Sequence, residues 1–76
     1  MNNDRRKKIK EIIIDMESIK SLLEDVLIDE ESSFDNMPEG LQYSEKGEAS
    51  QEAIDLMNEA VEGFEEIIEN LNSIIS

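Results

Sequence analysis

The stretch Asp35-Asn36-Met37-Pro38-Glu39-Gly40-Leu41-Gln42-Tyr43-Ser44 holds the only proline of the chain and one of its three glycines. Proline has no amide hydrogen to give a helix, and its ring pushes the preceding residue, here Met37, out of the helical region. A helix that reaches this point from the N-terminal side must end, and the chain must turn. Met37, Leu41 and Tyr43 are too apolar for a solvated linker. The expectation is a packed turn in which Phe34, Met37, Pro38, Leu41 and Tyr43 form a plug over the end of the elements on either side.

Upstream of the turn, no proline or glycine interrupts residues 4–34, and the apolar residues recur at helical spacing. With Ile9 as heptad position a, Ile9, Met16 and Leu23 occupy a, Ile12, Ile19 and Val26 occupy d, and Ile13, Leu27 and Phe34 occupy e. Downstream, Ser44 is a suitable N-cap for a second helix over residues 44–75, whose acidic first turn suits the helix dipole. Here Met57, Phe64 and Leu71 fall at a, Ala53, Ala60, Ile67 and Ile74 at d, and Ile54, Val61, Ile68 and Ile75 at e. Both helices carry an a/d/e stripe wider than the seam of a two-stranded coil.

Two helices of about thirty residues, each about 45 Å long, cover only part of such stripes when they pair alone. The expected fold is therefore all-α: one domain over residues 1–76, an antiparallel two-helix hairpin that pairs with a second copy as a four-helix bundle. The residues expected in the core and dimer interface are Ile12, Met16, Ile19, Leu23, Val26, Met57, Val61, Phe64, Ile67, Ile68 and Leu71. At 76 residues without cysteine or histidine, neither disulfides nor a thiolate or imidazole metal site can supplement a small core. Self-association is the aid left over.

The formal charge is −13, and it is uneven. Residues 1–10 carry five Lys/Arg against one Asp, a net +4, so residues 11–76 carry −17. Folding back brings Arg5, Arg6, Lys7, Lys8 and Lys10 toward the end of the second helix, and they are expected to pair there with Glu62, Glu65, Glu66 and Glu69. So acidic a surface repels nucleic-acid phosphates and anionic membranes and attracts basic protein surfaces. The apolar residues after the basic run are broken by Lys10, Glu11 and Asp15, which fits neither a signal-peptide core nor a membrane span. A cytoplasmic protein is expected, consistent with the lack of cysteine.

Catalysis finds little support. Carboxylate pairs four apart are abundant, as in Asp25 and Asp29 or Glu62 and Glu66, but only Glu30 interrupts the apolar stripe, and a general acid needs a buried pocket. No His exists for a Glu-x-x-His di-metal site, and the acidic run Asp29–Asp35 lacks the glycine and alternating ligands of a calcium loop. Neither cofactor nor metal is expected, and Gly40, Gly47 and Gly63 form no phosphate cradle. What remains are surfaces. The second helix presents Glu52, Asp55, Glu59, Glu62, Glu66 and Glu69 on one polar face, a candidate mimic of nucleic-acid phosphates toward a basic cleft. Ile14 and Ile28 lie at f, opposite the stripe, and Gly63 lies at g, where it permits close backbone approach.

The turn, read as D-N-x-P-E-x-L-Q-x-S over Asp35–Ser44 and followed by an acidic helix, resembles small, mostly uncharacterised phage and prophage proteins of Gram-positive bacteria. The likeness covers the turn and second helix; the first helix matches in character alone. It implies a helical hairpin of phage origin and carries no catalytic or ligand residues. In that setting the expected role is a non-enzymatic inhibitor or modulator of a host defence or nucleic-acid-binding protein, acting by surface occlusion or DNA mimicry. The alternative is a phage structural, assembly or scaffolding protein acting through helical self-association.

Overall fold

A computed structural model describes all 76 residues. The chain is three helices: α1 over Asn3–Asp35, a single turn α2 over Glu39–Gln42, and α3 over Glu45–Ile75. Asn2 caps α1, its side-chain oxygen accepting from the Arg5 N–H at 2.9 Å. At the other end, the Asn36 and Met37 N–H groups close onto the carbonyls of Ser32 and Phe34, both at 3.1 Å, before Pro38 stops the helix.

The turn is more structured than a loop. The Pro38 carbonyl accepts from the N–H groups of Leu41 and Gln42 at 2.8 and 3.2 Å, which makes α2. The Gln42 side-chain amide donates to the Phe34 carbonyl at 3.1 Å and the Met37 carbonyl at 3.3 Å. One side chain thus gives the Phe34 carbonyl a second donor and satisfies the Met37 carbonyl, which no backbone N–H of the turn reaches. Ser44 caps α3 by accepting from the Gly47 N–H at 3.4 Å, while its own hydroxyl donates to the Leu41 carbonyl.

Helices α1 and α3 run antiparallel, held by contacts that pair a rising number with a falling one, Lys20 with Glu65 and Glu30 with Ser50. The residues that lose most water exposure recur at alternating steps of three and four. On α1 they include Ile9, Ile13, Met16, Leu23, Leu27 and Phe34; on α3, Gly47, Ser50, Ile54, Met57, Val61, Phe64, Ile68 and Leu71. In the heptad frame these are positions a and e. Leu27, Ile54 and Val61 form the densest cluster, with Leu23, Phe34 and Met57 packed against it.

The d positions point elsewhere. Ile13, Leu27, Ile54, Val61 and Ile68 keep only 6–9% of their surface, whereas Ile12, Ile19, Val26 and Ile67 keep 47–55%. Of the residues expected in a shared core, Met16, Leu23, Met57, Val61, Phe64, Ile68 and Leu71 lie in the intrachain seam, and these four lie outside it. The molecule is a rod of 58 × 15 × 14 Å with a radius of gyration of 17.2 Å, against about 11 Å for a compact chain of this length. Its accessible surface, 5698 Å², exceeds by roughly 1,000 Å² the value typical of a folded chain of 8.7 kDa. No side chain is completely buried.

Candidate interaction surfaces

Three surfaces follow from this geometry. The first is the outer face of α3, where positions c and f point away from the seam. Glu52, Asp55, Glu59, Glu62, Glu66 and Glu69 are all exposed there, in two rows spanning about 26 Å of helix. Gln51 donates its amide to Asp55 at 3.0 Å. No cation answers any of the six, because the single salt bridge of the chain, Lys20 with Glu65 at 3.4 Å, lies at the edge of the seam.

The basic run does not neutralise this face. Arg5, Lys7, Lys8 and Lys10 are exposed and unpaired, and the expected bridges to Glu62, Glu65, Glu66 and Glu69 are not formed. The register explains their absence. With Glu30 beside Ser50 and Lys20 beside Glu65, residues 5–10 fall level with the last turn of α3, Asn72 to Ser76, which contains no acid. Those positive charges sit instead beside the carbonyl end of α3, where they complement its dipole.

The second surface is the d row and its flanking g row. Two antiparallel helices that turn a and e toward each other carry their d and g rows on the same side of the hairpin. On α1 that side presents Ile12, Ile19, Leu22 and Val26, with the exposed acids Asp15 and Asp29 in the g row; on α3 it presents Ala53, Leu56, Ala60, Gly63, Ile67 and Ile74, with Asn70 in the g row. Leu22 and Leu56, with 65% and 57% of their surface exposed, extend the apolar face beyond the residues legible as a/d/e. A Cβ added at Gly63 would meet nothing within 4 Å. Ile14 and Ile28 lie on the opposite side and are as exposed.

The third is the tip. Phe34 and Met37 are half-buried, but Leu41 and Tyr43 point into solvent, Tyr43 with 77% of its surface exposed. Pro38 is exposed too, so of the plug expected from Phe34, Met37, Pro38, Leu41 and Tyr43 only Phe34 and Met37 are partly covered. Formation of α2 is the reason: its carbonyls, not its side chains, meet α3. A Cβ at Gly47 would collide with the backbone of Leu41 and Gln42, so the close approach of α2 to α3 depends on that glycine. This role was not evident from glycine spacing, and a small residue three positions after the capping serine is its only sequence trace.

Glu30, the acid that interrupts the apolar stripe, is half-buried, and its carboxylate accepts from the buried Ser50 hydroxyl at 2.6 Å. It is a polar contact between the helices. No pocket opens on the surface, and no three acidic, His or Cys side chains converge to hold a metal. No helix is long and apolar enough to cross a membrane. Comparisons with protein-family models, with curated proteins and with solved structures find no match to this chain.

Proposed function

We propose that this chain is a non-enzymatic, phage-encoded interaction protein that works as a homodimeric four-helix bundle. It inhibits or modulates a host defence or nucleic-acid-binding protein by covering a basic surface. The observation that carries this reading is the outer face of α3, six exposed carboxylates with no cation among them. An unpaired row of like charges raises the repulsion a hairpin must tolerate, and a basic partner relieves it. The row advances about 5 Å per carboxylate along the helix, near the scale of a phosphate backbone. A partner built to grip nucleic acid meets a rigid substitute of the same sign. The turn's likeness to phage hairpins supports the setting in which such occlusion is useful.

The test is affinity purification from a Gram-positive bacterial lysate with two baits, the wild-type chain and Asp55→Lys/Glu59→Lys/Glu62→Lys. Recovery of a nucleic-acid-binding enzyme by the first bait only, with inhibition of that enzyme by the wild-type chain only, is the expected result. No recovered partner and no inhibited enzyme would overturn the reading. Exposed Leu41 and Tyr43 at the tip, with Ile14 and Ile28 on the back, favour a second reading, a phage assembly protein that grows through several apolar contacts. Sedimentation separates the two: one dimer mass at all concentrations supports occlusion, and open-ended growth supports assembly.

A further inference from the structure

We infer that the second copy lies on the d and g face with its long axis reversed. In this arrangement a two-fold axis crosses each hairpin at the level of Ile19. This inference rests on the homodimer proposed above and specifies its geometry. The Glu30–Ser50 and Lys20–Glu65 contacts place Ile19 of α1 level with the turn of α3 from Val61 to Glu66, whose middle is Gly63 and Phe64. Both d rows are palindromic in character about that level. On α1 the row reads Arg5, Ile12, Ile19, Val26, Ser33, its apolar part centred on Ile19. On α3 it reads Lys46, Ala53, Ala60, Ile67, Ile74, its apolar part centred between Ala60 and Ile67.

A two-fold axis perpendicular to the helices lays α1 on α1 and α3 on α3, each pair antiparallel. Ile19 then meets its own copy and Ile12 meets Val26. On α3, Ala60 meets Ile67 and Ala53 meets Ile74, so each small side chain faces a large one. Gly63 falls beside the axis, where its open flank admits the second backbone.

Charge selects the same arrangement. Arg5 and Lys8, exposed and unpaired at the d and g positions of one end, fall level with Asp29 and Ser33 of the second copy. Residues 20–63, the turn half, hold thirteen acids and two bases, while the other half holds seven acids and five bases. Reversal places each turn half on the less acidic half of its mate. The alternative closed dimer has its axis along the rod. It would stack the two turn halves, setting acid on acid, and lay Ile74 against Arg5 and Lys8 of the mate; the reversed arrangement lays Leu22 level with Asp15 of the mate, so the placement of the acidic halves is what separates the two. A face 58 Å long and about 15 Å wide projects to roughly 900 Å² per copy, the size of a standard stable interface.

The chain has no cysteine, so one introduced thiol reports one contact. Under mild oxidation Ile19→Cys is expected to form a disulfide dimer well above the collisional yield of Ile14→Cys, which is comparably exposed on the opposite side. If Ile19→Cys stays at that baseline while an equal mixture of Ile19→Cys and Ile67→Cys gives the mixed disulfide, the orientation is overturned and the dimer stands. If the wild-type chain sediments as a monomer at up to about 100 μM, the homodimer reading fails as well. The variant Arg5→Glu/Lys8→Glu is expected to raise the dimer Kd about tenfold at low salt, with the gap narrowing at 0.5 M salt. An unchanged Kd at both salt concentrations would remove the charge contact.

Discussion

The seam and the d row are built from the same residue types on the same two helices, yet one is dry and the other wet. Leu27 and Val26 are neighbours in sequence; the first keeps 7% of its surface and the second 55%. Apolarity does not separate them. A hairpin has one partner helix per helix, and a pair of straight α-helices can bury about two of every seven positions. Once a and e close the hairpin, d is left over whatever its chemistry. The difference teaches that burial in this hairpin is set by the number of partner helices each helix has and not by the chemistry of its side chains.

The largest way to break this contrast is truncation within it. Leu27→Ala is expected to lose about 2–4 kcal/mol of unfolding free energy, because it removes buried methyl groups from the Leu27, Ile54, Val61 cluster. Val26→Ala, one residue away, is expected to lose less than about 1 kcal/mol from the hairpin itself. Urea titrations of the two variants at low micromolar concentration measure the gap, and equal losses would show that the seam has been placed on the wrong row.

Next comes Gly47→Ala. Alanine is ordinarily worth about 1 kcal/mol more than glycine inside a helix, but here the added methyl meets the backbone of Leu41 and Gln42. Overpacking against backbone outweighs propensity, and a net loss of about 1–3 kcal/mol is expected in the same titration. A gain would mean that α2 lifts off α3 without cost, and that the tip is not a fixed part of the hairpin.

Ser50→Ala follows at about 1–2 kcal/mol. The substitution deletes a hydrogen bond to the Glu30 carboxylate and leaves that group half-buried without its donor. Glu30→Gln separates charge from geometry: it keeps an acceptor for the Ser50 hydroxyl and is expected to lose less. Thermal melts of the two variants decide whether the seam depends on the carboxylate or only on the oxygen.

The hairpin was legible before its coordinates, because the Pro38 break, the Ser44 cap and the two apolar stripes are local signals with local causes. The choice between a/d and a/e was not. Ile12 and Ile13 have the same side chain, and polar Lys20 at e and Glu30 at a argued, if anything, against a seam through those rows. The seam accepts them because each finds a partner on α3, Glu65 and Ser50, and a partner forty-five or twenty residues away leaves no trace in a heptad. The same limit explains the misplaced ion pairs. Opposite signs put Arg5–Lys10 and Glu62–Glu69 at the same end, but a shift of two helical turns, set by the length of the turn, separates them. The acidic face needed no register, since every c and f residue of α3 points outward wherever the seam lies.

The smallest expected effect concerns the one cation in the seam. Lys20 is about a quarter exposed and Glu65 more than half, and an exposed pair at 3.4 Å contributes about 0–1 kcal/mol. Lys20→Met keeps the alkyl stem that lies along the seam and removes the charge. Two terms then oppose each other: the lost pair, and the gain from leaving an apolar tip between α1 and α3. On a chain of net −13, deleting a cation also adds to repulsion, and salt weakens that term. The variant is therefore expected to be slightly less stable than wild type at 20 mM salt and equal or better at 0.5 M. A loss that persists at high salt would mean that Lys20 holds the helices by geometry, and that the seam needs its polar positions as much as its apolar ones.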